Sequence, residues 1–466
     1  MTILLTVVVL ACFAYLLFVN LVAAVFLVVG AFENAVRKHD AESNDFATLD
    51  SSRFTIPVSV IVAAYDEEVV IESAIRSLLA FDYPEFEVVV VNDGSSDGTL
   101  ERLREVFDLA PYEMFVRRIF TTQTVRGIYR SSAHPNLVVV DKDNGGKADS
   151  WNAALNVARY RYVCGVDADT VFDPKALLMA MRVAINDPAR IVGVTSQITT
   201  ARDPAKILSA PVGSRRVDSG LLGLFQHLDF VRAFLNNRLA WSRFGFMLCS
   251  PGGFQIWRRD VLEEVGGYST AFTCEDIELT FRIHERYRRE GRDYEIRCLP
   301  DSVGVTEGPD DVAKLVSQRE RWQRVINETV IHYRSMWFNR RYGSVGMVGA
   351  PFYLLTEVLS PVIEVLAIAS LAAAVALGIF DLEVFLVVVC AMAFANAALT
   401  AGAILLDDLQ SRLYRIRDLA RLLFWAPFDM LLYRPIIAWA RFKGTYRFLR
   451  GDKAWHKFER NVRAPA

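Results

Sequence analysis

Three patterns of apolar and polar residues divide this chain. Residues 2–31, "TILLTVVVLACFAYLLFVNLVAAVFLVVGA", carry almost no charge. A membrane span needs about 20 apolar residues, so the run predicts a transmembrane helix within 1–36. A signal peptide fits poorly, because the run is long and lacks a basic start. "VRKHD" follows, and basic flanks stay on the cytoplasmic side. Two further apolar runs, near 348–380 and 384–406, are joined by an acidic "DLE", which suits the outside. The flank after them, "QSRLYRIRDLAR", is basic and suits the inside. The stretch 422–440 contains Asp429 and Arg434 and is basic on both sides. It predicts a helix in the interface or dipping back, rather than a crossing. Glu357 and Glu364, on one helix face with Pro361 between them, are expected to face protein or a polar path, with a kink at the proline.

The middle of the chain alternates on a different period. "TIPVSVIVAAY" is a β-branched run that predicts a buried strand, and "DEEVVIESAIRSLLA" then has helical spacing with an acidic start. "FEVVVVNDGSSDGTLERLREVF", "NLVVVDKDNGGKADSWNAALNVAR" and "YRYVCGVDADTVFDPKALLMAMRVA" repeat the strand–turn–helix unit. Such alternation predicts a mostly parallel sheet covered by helices on both faces. Ligands bind such sheets at the carboxyl ends of the strands. There this sequence places Asp66, Glu67, Asp93, Asp167 and Asp169. The division expected is a first helix at 1–36, an α/β domain at 54–310, amphipathic interfacial helices at 311–345, a membrane region at 346–441 and a basic tail at 442–466. Trp455, among cations in that tail, reads as an interfacial anchor.

Composition adds limits. The chain of 466 residues is 53% hydrophobic, with a formal net charge of −2. Bulk charge therefore offers nothing to attract nucleic acid. Six scattered cysteines form no CxxC pair, and the six histidines show no metal-ligand spacing, so neither a disulfide framework nor a zinc site is expected.

"VDAD" puts two carboxylates on the same side of a strand end. They repel unless a cation sits between them. A hard divalent ion on few carboxylates completes its shell with substrate phosphate oxygens. Asp167-x-Asp169 thus reads as a metal–diphosphate site, or as turn aspartates capping the next helix. Asp93 could accept from a base or ribose, or simply shape its turn. Lys147 after "NGG" suits an anionic or carbonyl-bearing ligand. GxxxxGK[ST] is absent, which removes the main support for an ATPase. Glu275 and Asp276 open a helix; acids there commonly cap it, and the alternative is a general base acting on a hydroxyl. Gly252 and Gly253 in "SPGGFQIWRRD" allow close backbone approach to a ligand. "SQRERWQRV" gathers three arginines and two glutamines around a tryptophan, which is either a solvated helix face or a site for an anion beside a stacking ring.

DxD, an ED helix start and Q-R-x-R-W ahead of membrane helices, in that order, resemble the membrane-bound family 2 glycosyltransferases: cellulose, hyaluronan and poly-N-acetylglucosamine synthases. The resemblance covers residues 55–340. It implies a cytoplasmic GT-A (Rossmann-like) α/β domain flanked by transmembrane and interfacial helices, in an integral plasma (inner) membrane protein. Asp66 and Glu67 would then lie near a uridine, and Asp93 would read its base. Lys147 would belong to the GGK turn. Asp169 would be the direct ligand of Mg²⁺ or Mn²⁺, with Asp167 beside it. Asp276, next to Glu275, would be the general base. Gln318, Arg319 and Arg321 would meet the diphosphate, and Trp322, Gly252, Gly253 and Phe254 the acceptor. The implied activity is processive, inverting polymerisation of a UDP-sugar, UDP-GlcNAc or UDP-glucose, into a β-linked polysaccharide passed into the membrane. Its partners would be the UDP-sugar, the growing glycan and membrane lipids; an accessory export subunit is compatible with it. The alternative is one transfer to a lipid acceptor, as in the ceramide glucosyltransferases. The sequence departs from the pattern at Cys274, where threonine is usual, at Val325, where glycine is frequent, and in the basic, unassigned segment 116–136. No counterpart of the cellulose enzymes' gating loop is evident.

Overall fold

The valine-rich runs form strands as expected. In the computed structural model, which describes residues 2–43, 55–201, 217, 220–379, 381–411 and 414–452, ten strands make one sheet. They are β1 Val58–Ala64, β2 Phe86–Asp93, β3 Leu109–Pro111, β4 Val125–Ser131, β5 Leu137–Lys142, β6 Tyr162–Asp167, β7 Thr170–Phe172, β8 Ile191–Ala201, β9 Phe254–Arg258 and β10 Glu295–Glu307. The order is β3-β4-β5-β2-β1-β6-β9-β8-β10-β7. Strands β5, β2, β1 and β6 run parallel, as read from the sequence. The sheet as a whole is mixed rather than mostly parallel, because β4, β9 and β7 pair antiparallel with their neighbours. The physical reason is connection: β4 precedes β5 by a short turn, which only an antiparallel pair tolerates. The basic segment left unassigned by sequence supplies β4. Before that strand, the Ile119 and Phe120 amides donate to Asn156 Oδ1 at 2.9 Å.

Val58, Val60, Val62 and Ala64 alternate onto one face of β1 and join a core with Val88, Val90, Leu103 and Phe107. Each such valine contributes roughly 1.5–3 kcal/mol by leaving water. The helix Ile71–Leu79 buries Ile71, Ala74, Ile75 and Leu78, one stripe at helical spacing. The helix Lys147–Val157 is buried along nearly its whole length. Asp93, Lys142 and Asp167 are the last residues of three of the four central parallel strands, so their side chains share the carboxyl edge.

Among the described residues, those within Val36–Ala210 and Phe244–Glu307 form this α/β unit; those within Met1–Ala35, Pro211–Arg243 and Gly308–Lys457 form a second, helical one. The stretch 54–310 is therefore interrupted by a helical segment that belongs with the apolar helices. In the helical unit three helices are long and apolar enough to cross a membrane: Thr2–Val36, Val345–Ala376 and Phe385–Leu409. The first packs on the second through Phe26 and Phe352, 5.3 Å apart edge to face, and Tyr15 donates to Leu355 O at 3.1 Å. The chain from Ile416 to Leu449 is broken into short helices around Pro427 and Pro435 and is not among the long apolar helices. Its Asp429 is fully buried against Arg232, 2.6 Å away. Pro361 sits in the first turn of Ser360–Ala376, directly after a wide helical turn holding Glu357. Glu357 pairs with Arg441 at 2.8 Å, and Glu364 accepts from Ser360, so both carboxylates are met by protein groups. The tail residue Trp455 lies outside the described residues.

Candidate functional site

Two loops at the carboxyl edge are stitched by the first acidic motif. Asp66 has a positive φ of 52°, which aspartate tolerates better than most residues. Its Oδ1 accepts from Ser96 N at 2.7 Å and Asp97 N at 3.3 Å, and its own amide donates to Ser95 Oγ at 3.0 Å. The Glu67 amide donates to Thr99 Oγ1 at 2.8 Å. The Asp66 carboxylate thus fastens the loop after β1 to the loop after β2.

Asp93 is buried, and its own surroundings engage both of its oxygens. Oδ1 accepts from Gly145 N at 3.0 Å and Oδ2 from Gly146 N at 2.8 Å, while the Lys142 ammonium contacts Oδ1. Lys142 is wholly buried and also bonds Asp149 Oδ2 at 2.7 Å and Asp143 O at 2.7 Å. Lys142 and Asp149 were missed in the sequence; the signal was a lysine ending the apolar strand "LVVVDK", opposite Asp93 in the parallel register. Together they set the glycine turn, whose Gly146 has φ +86° and starts the helix bearing Lys147.

Lys147 reaches across the edge of the sheet. Its Nζ lies 2.7 Å from Asp167 Oδ1, 3.1 Å from Glu275 Oε1 and 4.4 Å from the Trp151 ring centre. Burial works against its charge, but Asp167, Glu275 and Asp276 outweigh it and hold the ammonium well above the usual lysine value. Burial likewise pushes the Glu275 carboxyl up, and Lys147 tempers the rise. Asp276 sits in the first turn of Glu275–Arg289; its Oδ2 accepts from Gly252 N at 2.7 Å, and its Oδ1 from Ile277 N at 2.6 Å and the Cys274 thiol at 2.9 Å. Burial, then Asp276 and Glu275, raise that thiol well above its ordinary value, so it stays a neutral donor in the place of the expected threonine. A Cβ on Gly252 would lie 2.7 Å from Lys147 Nζ and 3.2 Å from Asp276 Oδ2, so glycine here leaves room for the ammonium beside the backbone N–H that holds Asp276. Gly253 adjoins Asp167, and Phe254 is buried in the core.

Asp169 Oδ1 accepts from Thr170 Oγ1 at 3.3 Å and Thr306 Oγ1 at 3.2 Å. Among the described residues, no three His, Cys, Asp or Glu side chains converge as a self-sufficient metal centre. Asp167 and Asp169 offer hard oxygen donors only. That set fits Mg²⁺ or Mn²⁺ bound through one or two carboxylates and completed by phosphate oxygens.

The Q-R-x-R-W residues lie on the helix Val312–His332 of the helical unit. Arg319 is buried and engaged there: its Nη2 is 3.2 Å from Asp229 Oδ2, and its guanidinium stacks 4.2 Å from the Trp322 ring centre. Trp322 is 36% exposed, and Gln318 and Arg321 are part-exposed. The neighbouring Gln323, which the sequence reading passed over, is fully buried; it accepts from Arg441 Nε at 2.8 Å and donates to Glu357 O at 2.7 Å.

Residues 59–266 match the family model Glycosyl transferase family 2. The poly-beta-1,6-N-acetyl-D-glucosamine synthase of Staphylococcus epidermidis is 24% identical over 328 residues, 70% of this chain and 67% of that protein. The synthase of the same name from Staphylococcus aureus strain COL is 24% identical over 277 residues, 59% of this chain and 55% of that protein. Among solved structures, the mannosyltransferase PcManGT of Pyrobaculum calidifontis, in complex with GDP-Man and Mn²⁺, shares the fold. Its TM-score is 0.50 at 20% identity, with 89% of this chain and 99% of that one covered.

Proposed function

We propose, for a chain that belongs to the membrane-bound family 2 glycosyltransferases, that it polymerises a UDP-sugar into a β-linked polysaccharide and passes the product into the membrane. UDP-N-acetylglucosamine is the first donor to test, because synthases similar to this chain in sequence carry N-acetylglucosamine in their names. One observation carries the reading. Asp276, a carboxylate on a helix start, is held by Gly252 N in the same cluster as Lys147, Glu275 and Asp167. A carboxylate so placed can take the proton of an acceptor hydroxyl. The freed oxygen attacks the anomeric carbon from the face opposite the diphosphate. The anomeric C–O bond breaks, UDP leaves with the electron pair, and the configuration inverts. Lys147 opposes the charge that grows on the leaving group. A divalent ion held by Asp167 and Asp169 would supply further neutralisation of the diphosphate. Asp66, Glu67 and Asp93 shape the nucleotide loops. Gln318 and Arg321 are proposed to serve the diphosphate, with Arg319 setting the orientation of Trp322. Trp322, Gly252 and Gly253 are proposed to serve the acceptor; Phe254, expected with them, is fully buried in the strand core against Phe172 and has no surface to offer it. The α/β unit would face the cytoplasm.

The test is release of nucleotide diphosphate by the purified full chain in nanodiscs. The donors would be UDP-N-acetylglucosamine, UDP-glucose and GDP-mannose, each with Mg²⁺, Mn²⁺ or chelator, and every product would be sized. Long glycan from a UDP-sugar, chelator-sensitive and reduced about 10²–10⁴-fold by Asp276→Asn, is the expected result. Single addition to an added lipid would replace the polymerase reading by the glycolipid one. Turnover unchanged in Asp276→Asn would remove the assigned base.

A further inference from the structure

Lys147 has two carboxylate partners and only one of them belongs to the DxD pair. Its Nζ lies 2.7 Å from Asp167 Oδ1 and 3.1 Å from Glu275 Oε1. The stem rests on Trp151, with the ammonium 4.4 Å from the ring centre, and Gly252 leaves room for it on the side of Asp276. The ammonium thus occupies one of the two Asp167 oxygens that a divalent cation could use. An ammonium and a metal ion cannot both use that oxygen at short range without strong repulsion. A diphosphate changes the balance, because it offers oxygens to the metal and an anionic partner to the lysine at once.

We propose that Lys147 is an internal counter-cation of Asp167 that suppresses metal loading until the donor arrives, so that metal and nucleotide bind as a coupled pair. The donor's diphosphate draws Lys147 off Asp167, and the freed carboxylate then takes the metal. Glu275 keeps the ammonium tethered at the site during the exchange and returns it when the nucleotide leaves. By linkage the enhancement is reciprocal: UDP tightens the metal, and the metal tightens UDP by the same factor. This inference rests on the reading of Asp167-x-Asp169 as the metal–diphosphate site.

The experiment measures binding rather than turnover. Free Mn²⁺ is followed by electron paramagnetic resonance as the full chain in detergent is titrated, without nucleotide and with saturating UDP. Wild type, Lys147→Met, Lys147→Gln and Lys147→Arg are compared, with circular dichroism and thermal unfolding to confirm folding. Wild type should bind Mn²⁺ weakly alone and tightly with UDP. Lys147→Met and Lys147→Gln should each bind Mn²⁺ alone about tenfold more tightly, the equivalent of one charge-assisted contact. Their UDP enhancement should shrink, and Lys147→Arg should behave as wild type. The gain should persist in salt of about 1 M, where a charge acting from a distance is screened within about 3 Å. If wild type binds Mn²⁺ with UDP but neither neutral variant gains affinity without it, the counter-cation role is wrong and the metal site stands. If wild type binds no Mn²⁺ even with UDP, the metal reading itself falls. A gain that vanishes in high salt assigns the effect to general charge, and the proposed exchange is rejected.

Discussion

Asp93 and Lys142 stand side by side at the ends of β2 and β5, and their pairing is the cost of placing charge in a core of valines. Lys142 is wholly buried between Asp93 and Asp149. Lys142→Met would leave two buried carboxylates without their counter-charge, and thermal unfolding should show a loss of about 3–5 kcal/mol. Adding Asp149→Asn should restore part of that loss, because one of the stranded charges is removed. A second buried cation-former has the opposite preference. His284, on the helix that carries Asp276, donates through Nε2 to Met247 O at 2.9 Å, while its Nδ1 accepts from Tyr294 OH. Burial holds its pKa down at about 4. The unfolded chain takes up that proton near 6.5, the ordinary histidine value. Between those values the unfolded state binds more protons, so stability falls as pH falls, by roughly 3 kcal/mol at full extent. In His284→Asn the drop in melting temperature between pH 7 and pH 5 should be smaller than in wild type.

At the scale of elements, the sequence predicts an amphipathic interfacial helix here, its charged run either a solvated face or an anion site; the helix Val312–His332 instead buries Arg319, Glu320, Gln323 and Arg324. The partners arrive from the far end of the chain. Glu320 meets Lys443 at 3.0 Å and Arg447 at 2.5 Å, and Gln323 meets Arg441. The helix Arg434–Leu449 comes this close because residue 444 is glycine. A Cβ there would lie 2.5 Å from Glu320 O and 2.9 Å from Gln323 Cβ. Gly444→Ala should force the two helices apart at a cost of about 1–3 kcal/mol, read as a lower melting temperature. Gly343→Ala would not serve as a control, since its positive φ of 56° brings strain of its own. No periodicity in residues 312–332 announces this pairing, because a buried salt-bridge face and a hydrated one have the same composition.

For the whole molecule, the apolar pattern and the contact pattern divide the chain differently. Hydropathy separates a first helix, a soluble middle and a late membrane region. Among the described residues, the folded chain instead gathers those within Met1–Ala35, Pro211–Arg243 and Gly308–Lys457 into one unit. Among the described residues, no helix of the segment before Arg243 is long and apolar enough to cross a membrane, yet Arg232 within it is bound to Asp429, Asn396 and Thr400. Three candidate spans with basic flanks after the first and third predict an orientation. Asp381→Cys, between the second and third, should react with an impermeant maleimide on intact cells. Asp418→Cys should react only after the cells are permeabilised. Labelling in the reverse pattern would invert the topology.

The sequence alone determined the strand–turn–helix repeats, the three long apolar helices and the order of DxD, ED and Q-R-x-R-W. These rest on local periodicity and short spacing, which neighbouring residues carry by themselves. It also grouped Asp66, Glu67, Asp93, Asp167 and Asp169, because α/β sheets expose their strand ends; Lys147 followed from its glycine turn, and Asp276 as the base only from the family resemblance. Only the tertiary structure decided what each of them holds. Asp93 is closed by Lys142 and two glycine amides, Lys147 is shared by Asp167 and Glu275, and Asp276 is fixed by Gly252 N, 24 residues earlier in the chain. The antiparallel strands β4, β9 and β7 were also beyond the sequence reading, since strand direction depends on which edge is free when the chain returns. Charge is long-ranged and unspecific in sequence. Its partner is chosen by packing, and packing is a property of the folded chain.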